Sequence, residues 1–582
     1  MKLLADQLSI AGASHDHSEN DQEAELSVPA PASSTTQRPE SPRTGVTGWV
    51  IVALLVIGAI LRIWQYAANT SLWLDEIALT KGILQLDLPS LLTSPLPYDQ
   101  VAPKGFLLLQ KLAVMALGPT EYALRLVPFA CSLIALWLFA RVAARLLEGI
   151  GPVVAVALFA TGTSFILLSA IAKQYAVDVC VAVSLLYLSH ELMSSDPNTS
   201  RMIGAGLAGT LLVWLSQPAV LVITALGSVL VGTAILSARA TVRLRRLVFV
   251  VACWAISAAL VTLAGFASMS TQTREYMYRY WAEGFPPTPP TAALRSFWPW
   301  EQVMGLFGQA SAGVAYPFPA LYVGAMVIGF AALWRRQRET AALVVAPLVI
   351  TLGAAVARQY PFSNRLILFL FPSFILSIAA ATEEARSLVA LISRVLAALL
   401  VVSVVAPAMY PVVMAPPTYR FEDVKPLLQH LEARRQPGDK MYVYYGAAPA
   451  MSFYAARYGM ERKEYSVGGC HPGDGPSFLR ELDTFRGERR VWIVLVHPSG
   501  GELPYILAYL DAIGARKDAL VVESRYVGRR LPPARLYLYD LSRPDASNTT
   551  ANSFAFTGPL PAGSRFSCDG GPTAMVSSDF VQ

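Results

Sequence analysis

Charge is the first thing this sequence lacks: Asp, Glu, Lys and Arg make up 15% of its 582 residues, against roughly 25% in a soluble chain. That shortage excludes an ordinary soluble protein. The few cysteines, five in all, exclude a disulfide-dense scaffold. Histidine is nearly as scarce, six in all, and no His or carboxylate cluster has metal-ligand spacing. No Gly-rich fingerprint follows a strand-like run, which argues against a dinucleotide site. The net charge of +6 is modest, and its Arg residues sit in short loops, so it reports membrane orientation and not nucleic-acid binding. Residues 1–45 have no apolar period and are rich in Ser, Pro, Ala, Glu and Asp, as in a disordered cytoplasmic tail. They are too long and too polar for a signal peptide, and no small-residue cleavage pattern follows the first apolar run.

What is present in excess is apolar: 54% hydrophobic residues and a mean hydropathy of +0.45. Long apolar runs recur through the first 410 residues, each near the ~20 residues a helix needs to cross a bilayer. Inside lipid their backbone groups have no water, so they must be helices. Spans are expected at about 47–66, 122–147, 151–169, 174–193, 203–216, 218–237, 247–267, 316–334, 341–357, 363–381 and 387–410, about eleven in all. Between the first two lies an excursion, 67–120, whose apolar pieces 77–92 and 104–118 are short and broken by Pro95, Pro97 and Pro103. That suits helices lying along the membrane surface. Arg141, Arg145, Arg201, Arg239, Arg243, Arg245, Arg246, Arg335, Arg336, Arg338, Arg386 and Arg394 all fall on one side, which marks it as cytoplasmic. The 67–120 excursion, the turn at Lys173, the 268–315 loop, the turn from Arg358 to Arg365 and the C-terminal part fall on the other.

From about 416 the composition becomes that of a soluble α/β domain, 416–545, followed by a flexible tail, 546–582. Strand-like runs at 440–445, 491–496, 521–527 and 535–539 alternate with helical patterns at 421–435, 449–459, 476–486 and 502–513. Alternation of this kind predicts a small, mostly parallel sheet. The fold class is therefore a polytopic α-helical membrane protein of about 11 transmembrane helices with a C-terminal soluble α/β domain. Cys131, Cys180 and Cys253 fall in spans as packing residues. Cys470 and Cys568 fall in the outer part, where an oxidising compartment permits a pair, and one possible pairing leaves its geometry open.

The chemistry-bearing residues gather on the outer side. Asn69-Thr70-Ser71-Leu72-Trp73-Leu74-Asp75-Glu76 places two adjacent carboxylates where the first span meets water. A half-buried carboxylate there can take a proton from an acceptor hydroxyl; equally, carboxylates suit the first turn of a helix capped by Thr70 or Ser71. Lys173, Tyr175 and Asp178 occupy the turn between two spans, and Pro361-Phe362-Ser363-Asn364-Arg365 opens another. The loop from Arg274 to Trp300 adds Arg274, Arg279, Arg295, Tyr276, Tyr278, Tyr280 and Trp281. An interfacial phosphate needs cations, which Lys173 and Arg365 supply; Lys and Arg at span ends also snorkel with no ligand at all.

From Trp73 to about 190 the chain resembles the glycosyltransferase C superfamily, near glycosyltransferase family 39 and the lipopolysaccharide galacturonosyltransferases. The resemblance is carried by Ser71-Leu72-Trp73-Leu74-Asp75-Glu76, Ala102-Pro103-Lys104-Gly105-Phe106, Glu121-Tyr122-Ala123-Leu124-Arg125 and Lys173-Gln174-Tyr175-Ala176-Val177-Asp178. Tyr360-Pro361-Phe362-Ser363-Asn364-Arg365-Leu366 extends it. It implies an inner-membrane enzyme that takes a sugar from a polyprenyl-phosphate carrier on the periplasmic face. The sugar passes, with inversion, to an extracytoplasmic lipid, polysaccharide or protein acceptor. Asp75 matches the presumed base, with Glu76 beside it, and Lys173, Arg365 and Tyr175 fall where the donor phosphate lies. Lys104 stands where the family often has a second Pro, as an extra phosphate contact or a mere substitution. No cofactor is implied and a metal is optional, since a lipid phosphate whose charge is matched already leaves well. The rival expectations are a lipid-linked sugar flippase or transporter, which calls for charges inside the spans, and a non-catalytic envelope-assembly protein.

Overall fold

The computed structural model describes residues 45–558 apart from 195–197, 237–240, 290, 293–295, 309–317, 415–417, 472, 499–500, 525–531, 543–548 and 557. Of the expected tails 1–45 and 546–582, residues 1–44, 546–548, 557 and 559–582 lie outside the described residues, as do Arg239, Arg295 and Cys568; within 549–556, Ala551, Phe554 and Phe556 pack against the core of the α/β domain. The first apolar run is helix α1 (Gly45–Ala67). The excursion after it forms three short helices, α2 (Leu74–Gln85), α3 (Leu88–Thr93) and α4 (Lys104–Leu117). Pro89 sits in the first turn of α3, where its missing N–H costs nothing, and Asp87 caps that helix by accepting the Ser90 N–H at 3.1 Å.

Then come α5 (Glu121–Leu146), α6 (Gly151–Thr161), α7 (Thr163–Leu167), α8 (Tyr175–Ser194), α9 (Thr199–Leu212), α10 (Ala219–Leu236), α11 (Thr241–Ala267) and α12 (Thr271–Tyr280). Further helices run over Trp298–Gly308, Pro319–Arg336, Arg338–Val356, Phe371–Ala390 and Arg394–Met414. Among the described residues, eight helices are long and apolar enough to cross a membrane, nine if the pair bent by 52° at Gly162 is one span. The two remaining expected segments are helical too: Thr199–Leu215 is a shorter apolar helix, and Pro319–Arg336 carries two arginines in its last turn. The protein is thus a multi-pass helical membrane protein.

At the centre of the bundle lies Phe371–Ala390, entered through a 3-10 turn at Asn364–Leu370. Its contact with Pro319–Arg336 is made at Gly329, where a Cβ would stand 1.7 Å from the Ser377 carbonyl oxygen. Without a side chain there, the two backbones approach closely enough to gain dispersion contacts that lipid cannot offer.

The C-terminal part holds a five-stranded sheet of β1 (Lys440–Val443), β2 (Ser466–Val467), β3 (Val491–Leu495), β4 (Ala515–Val522) and β5 (Ala534–Asp540), in the order β2-β1-β3-β5-β4. β1 pairs parallel with β2 and β3, while β5 pairs antiparallel with β3 and β4. The sheet is therefore mixed where the alternation of helices and strands predicts a mostly parallel one, because β5 runs antiparallel to both of its neighbours. All five residues of β3 are buried, as a central strand covered on both faces requires. One face, through Met441, Val443, Trp492 and Val494, joins the apolar core of the membrane part by way of helices Lys425–Arg434 and Ala448–Tyr454. The other, through Tyr442, Val491, Ile493 and Leu495, packs its own core with Phe478 and Ile506.

Candidate active site

The site begins with the first turn of α2. Its second and third residues, Asp75 and Glu76, are about 100° apart around the helix, and the turn separates them. Glu76 is buried at 1% exposure and points into the bundle. It accepts two hydrogen bonds from Arg125, at 3.0 Å from Nε and 2.8 Å from Nη2, and one at 2.6 Å from the Ala172 N–H. It also accepts the Trp73 N–H at 3.3 Å, capping its own helix. Arg125 also donates to the carbonyls of Thr70 and Ser71. Glu76, expected beside Asp75 as a candidate catalytic carboxylate, is tied up in these bonds and does not line the cavity. Its carboxylate is saturated, faces away from the cavity, and fixes the turn that carries Lys173.

Asp75 faces the other way, into a cavity of about 470 Å³. Its two oxygens are held by two cations: Lys173 Nζ at 2.9 Å on Oδ1 and Arg365 Nη2 at 3.0 Å on Oδ2. Burial pushes the Asp75 carboxyl up, but Lys173 and Arg365 outweigh it and hold the group below the usual carboxylate range. Burial lowers Lys173, and Asp75 offsets part of that shift. Lys173 also donates to Gln100 Oε1 at 2.6 Å. Arg365 lies among aromatic faces, its guanidinium carbon 5.3 Å from the centroids of Trp73 and Tyr175 and 5.7 Å from that of Trp281. Stacking of this kind holds a weakly hydrated guanidinium in place without consuming its donors, and Arg365 Nε has no hydrogen-bond partner. Two cations share one carboxylate, which leaves the cluster with one unit of positive charge.

Three supports place these groups. Gly162 breaks the span after α6, and the carbonyls exposed by the break are taken by Arg62, which donates from Nη1 to Ala160 O at 3.1 Å and from Nη2 to Phe159 O at 3.2 Å. The redirected chain delivers the Lys173 turn to the cavity. Tight packing of Gly284, whose Cβ would meet Pro361 Cβ at 2.8 Å, lets its carbonyl accept the Phe362 N–H at 2.7 Å and ties the loop after α12 to the entrance of Arg365. Finally, the α/β domain grips the Asp75 loop directly. Ser71 N–H donates to Asp423 Oδ1 at 3.0 Å, Ser71 Oγ accepts from Val424 N–H at 2.9 Å, and Leu72 N–H donates to the Tyr454 hydroxyl at 2.7 Å.

Of the other expected residues, Tyr175 lines the cavity with Lys173 and Arg365, as do Arg274, Tyr276, Tyr278, Tyr280 and Trp281. Burial raises the Tyr276 and Tyr280 phenols, so both are neutral hydroxyls at physiological pH. Lys104 opens α4 half-buried, its pKa lowered by burial, but it is not in the cavity wall. Asp178 is buried behind the wall, and Arg279 is exposed at the end of α12. Residues missed from sequence are Trp73, Gln100, Gln174 and Gln217, which line the cavity, and His497, which reaches it from the loop after β3. His497 Nδ1 pairs with Glu422. Only Arg62 had a signal, an ionisable residue within an apolar run. Cys470 is disulfide-bonded, and the three span cysteines are free.

The cavity continues as a second, apolar groove of about 850 Å³ between α10 and α11, with Val220 and Thr262 in both walls. A half-buried carboxylate, two cations aimed at it and an adjoining apolar groove suit a ligand with an anionic head and a hydrocarbon tail.

No protein-family model and no curated relative matches the chain. Among solved structures it is similar to ArnT from Cupriavidus metallidurans in the apo state, at 12% identity and a TM-score of 0.45, and to ArnT bound to undecaprenyl phosphate, at 11% and 0.46, each covering 87% of this chain and 100% of that one. It is also similar to the oligosaccharyltransferase AglB from Archaeoglobus fulgidus in complex with an inhibitory peptide and a dolichol-phosphate, at 11% identity and a TM-score of 0.45, covering 91% of this chain and 77% of that one. Likeness at this level leaves the site to be read from its own residues.

Proposed function

We propose that this protein is a membrane glycosyltransferase. It takes a sugar from a polyprenyl-phosphate carrier and passes it, with inversion, to an acceptor on the periplasmic face of a bacterial inner membrane. The observation that carries the reading is Asp75 clamped between Lys173 and Arg365 at the head of an apolar groove. The groove takes the prenyl chain by burial of apolar surface. The sugar phosphodiester carries one negative charge, which matches the single positive excess of the cluster.

The reaction follows from those groups. The acceptor hydroxyl oxygen attacks the anomeric carbon as its proton passes to Asp75, and the bond from that carbon to the phosphate oxygen breaks on the opposite face. The electron pair leaves with the phosphate, which gains a further negative charge, and Lys173 and Arg365 neutralise it. Entry of the donor phosphate draws both cations from Asp75. The carboxylate then loses the charges that hold its pKa down and becomes a stronger base only when donor is bound. The motif resemblance at Trp73-Leu74-Asp75-Glu76 and Lys173-Gln174-Tyr175 supports the same assignment.

The test is transfer from radiolabelled polyprenyl-phosphate sugars by purified protein in liposomes with envelope acceptor. Wild type transfers. Lys173→Met and Arg365→Met each lose binding of sugar-free polyprenyl phosphate as well as turnover, and retention of that binding in both variants contradicts the assignment.

A further inference from the structure

The cavity holds polar groups that the transfer chemistry does not use. Gln174 is 8% exposed, and its Oε1 is buried without a hydrogen-bond partner; the indole Nε1–H of Trp73 is buried and unpartnered as well. Both line the cavity with Asp75 and Lys173, as does Gln217. Gln100 differs, for its Oε1 accepts from Lys173 and its Nε2 donates to the Tyr98 carbonyl at 3.1 Å. A buried polar atom left without a partner is costly, so the unpartnered carbonyl and indole N–H stand open to groups of a ligand that can donate and accept.

The chemistry of a lipid-linked donor decides which part supplies it. A phosphate ester presents only acceptor oxygens to neighbours, so it repels a carbonyl oxygen such as Gln174 Oε1. A prenyl chain neither donates nor accepts. A sugar ring alone carries hydroxyls that donate to Gln174 Oε1 and accept from Trp73 Nε1–H, together with a C–H face that packs on an indole ring. We propose that Gln174 and the indole N–H of Trp73 form the sugar subsite of this enzyme and select the transferred sugar through its hydroxyls, beside the Lys173 and Arg365 phosphate clamp. The inference rests on the glycosyl-transfer reading.

The experiment measures two quantities on purified protein in liposomes. One is kcat/KM over a panel of polyprenyl-phosphate sugars that includes monodeoxy analogues. The other is the Kd for sugar-free polyprenyl phosphate. In Gln174→Leu, kcat/KM for the preferred donor falls by about 100-fold, while sugar-free polyprenyl phosphate binds within about 2-fold of wild type. One deoxy donor loses the same factor on wild type and nothing further on Gln174→Leu, since the partnership is already gone. Trp73→Phe keeps the ring, loses the N–H and shifts the ranking of donors, and Gln174→Asn restores part of the selectivity. If Gln174→Leu weakens sugar-free polyprenyl phosphate as much as it weakens the donor, or leaves the ranking of sugars unchanged, the subsite is overturned while transfer stands. If wild type transfers no sugar from any donor, the transfer reading fails, and the subsite with it.

Discussion

Between Asp75 and Glu76 lie one peptide bond and about 100° of helical rotation, and the surroundings on the two sides assign opposite tasks. Glu76 answers a buried Arg125, so Glu76→Gln leaves that guanidinium uncompensated. The expected cost is about 3–5 kcal/mol, read as a lower unfolding temperature in detergent; loss of turnover at unchanged stability would return Glu76 to the chemistry. Asp75 instead, under the proposed function, gives up its cations to the donor. Its carboxyl lies below the usual range in the free protein, so it stays ionised until pH falls through that lowered value. In the donor complex the pKa rises. The acid limb of kcat should therefore lie at higher pH than the acid limb of kcat/KM, and coincident limbs would contradict the exchange of partners.

At the scale of elements, the broken span matters most. Gly162 bends it by 52°, and Arg62 holds the carbonyls at the break. Arg62→Lys replaces a fork by a point charge that cannot reach Ala160 O and Phe159 O together. The expected result is a lower unfolding temperature and at least a 10-fold loss in kcat as the Lys173 turn shifts; unchanged kcat would detach the break from the site. The sequence made the helices legible because a long apolar run in lipid has one solution, and it singled out Asp75, Lys173 and Arg365 as candidates because charges at the outer ends of the spans are few. The rest was hidden for physical reasons. Glu76 and Asp75 look alike until a helix rotates them apart. Gln100, Gln174 and Gln217 carry no charge to mark them, and they meet only when three distant turns fold together. The antiparallel direction of β5 is set by its pairing with β3 and β4, which the composition of a short strand does not advertise.

Over the whole molecule, the α/β domain works as a scaffold for the membrane site. Ser71, Leu72 and Glu121 are all held by it, Glu121 through Lys425 at 2.9 Å and Arg457 at 3.3 Å. His497 reports the state of this junction. Burial pushes the imidazole down, but Glu422 outweighs it and raises its pKa above the ordinary value. The ion pair therefore contributes fully below the unfolded value of about 6.5, and its contribution is lost as pH rises through the higher folded value. The stability difference between wild type and His497→Gln should be largest at acidic pH and shrink on the alkaline side. A difference that grows with pH would contradict the pairing.

The most direct test of the central claim compares Asp75→Asn with wild type in liposomes, measuring both binding of sugar-free polyprenyl phosphate and transfer from a labelled polyprenyl-phosphate sugar. Removal of the carboxylate leaves Lys173 and Arg365 free, so the account predicts that the carrier binds at least as tightly while transfer falls by about 10³-fold or more. Transfer near the wild-type rate in Asp75→Asn, with the carrier bound, would contradict Asp75 as the base.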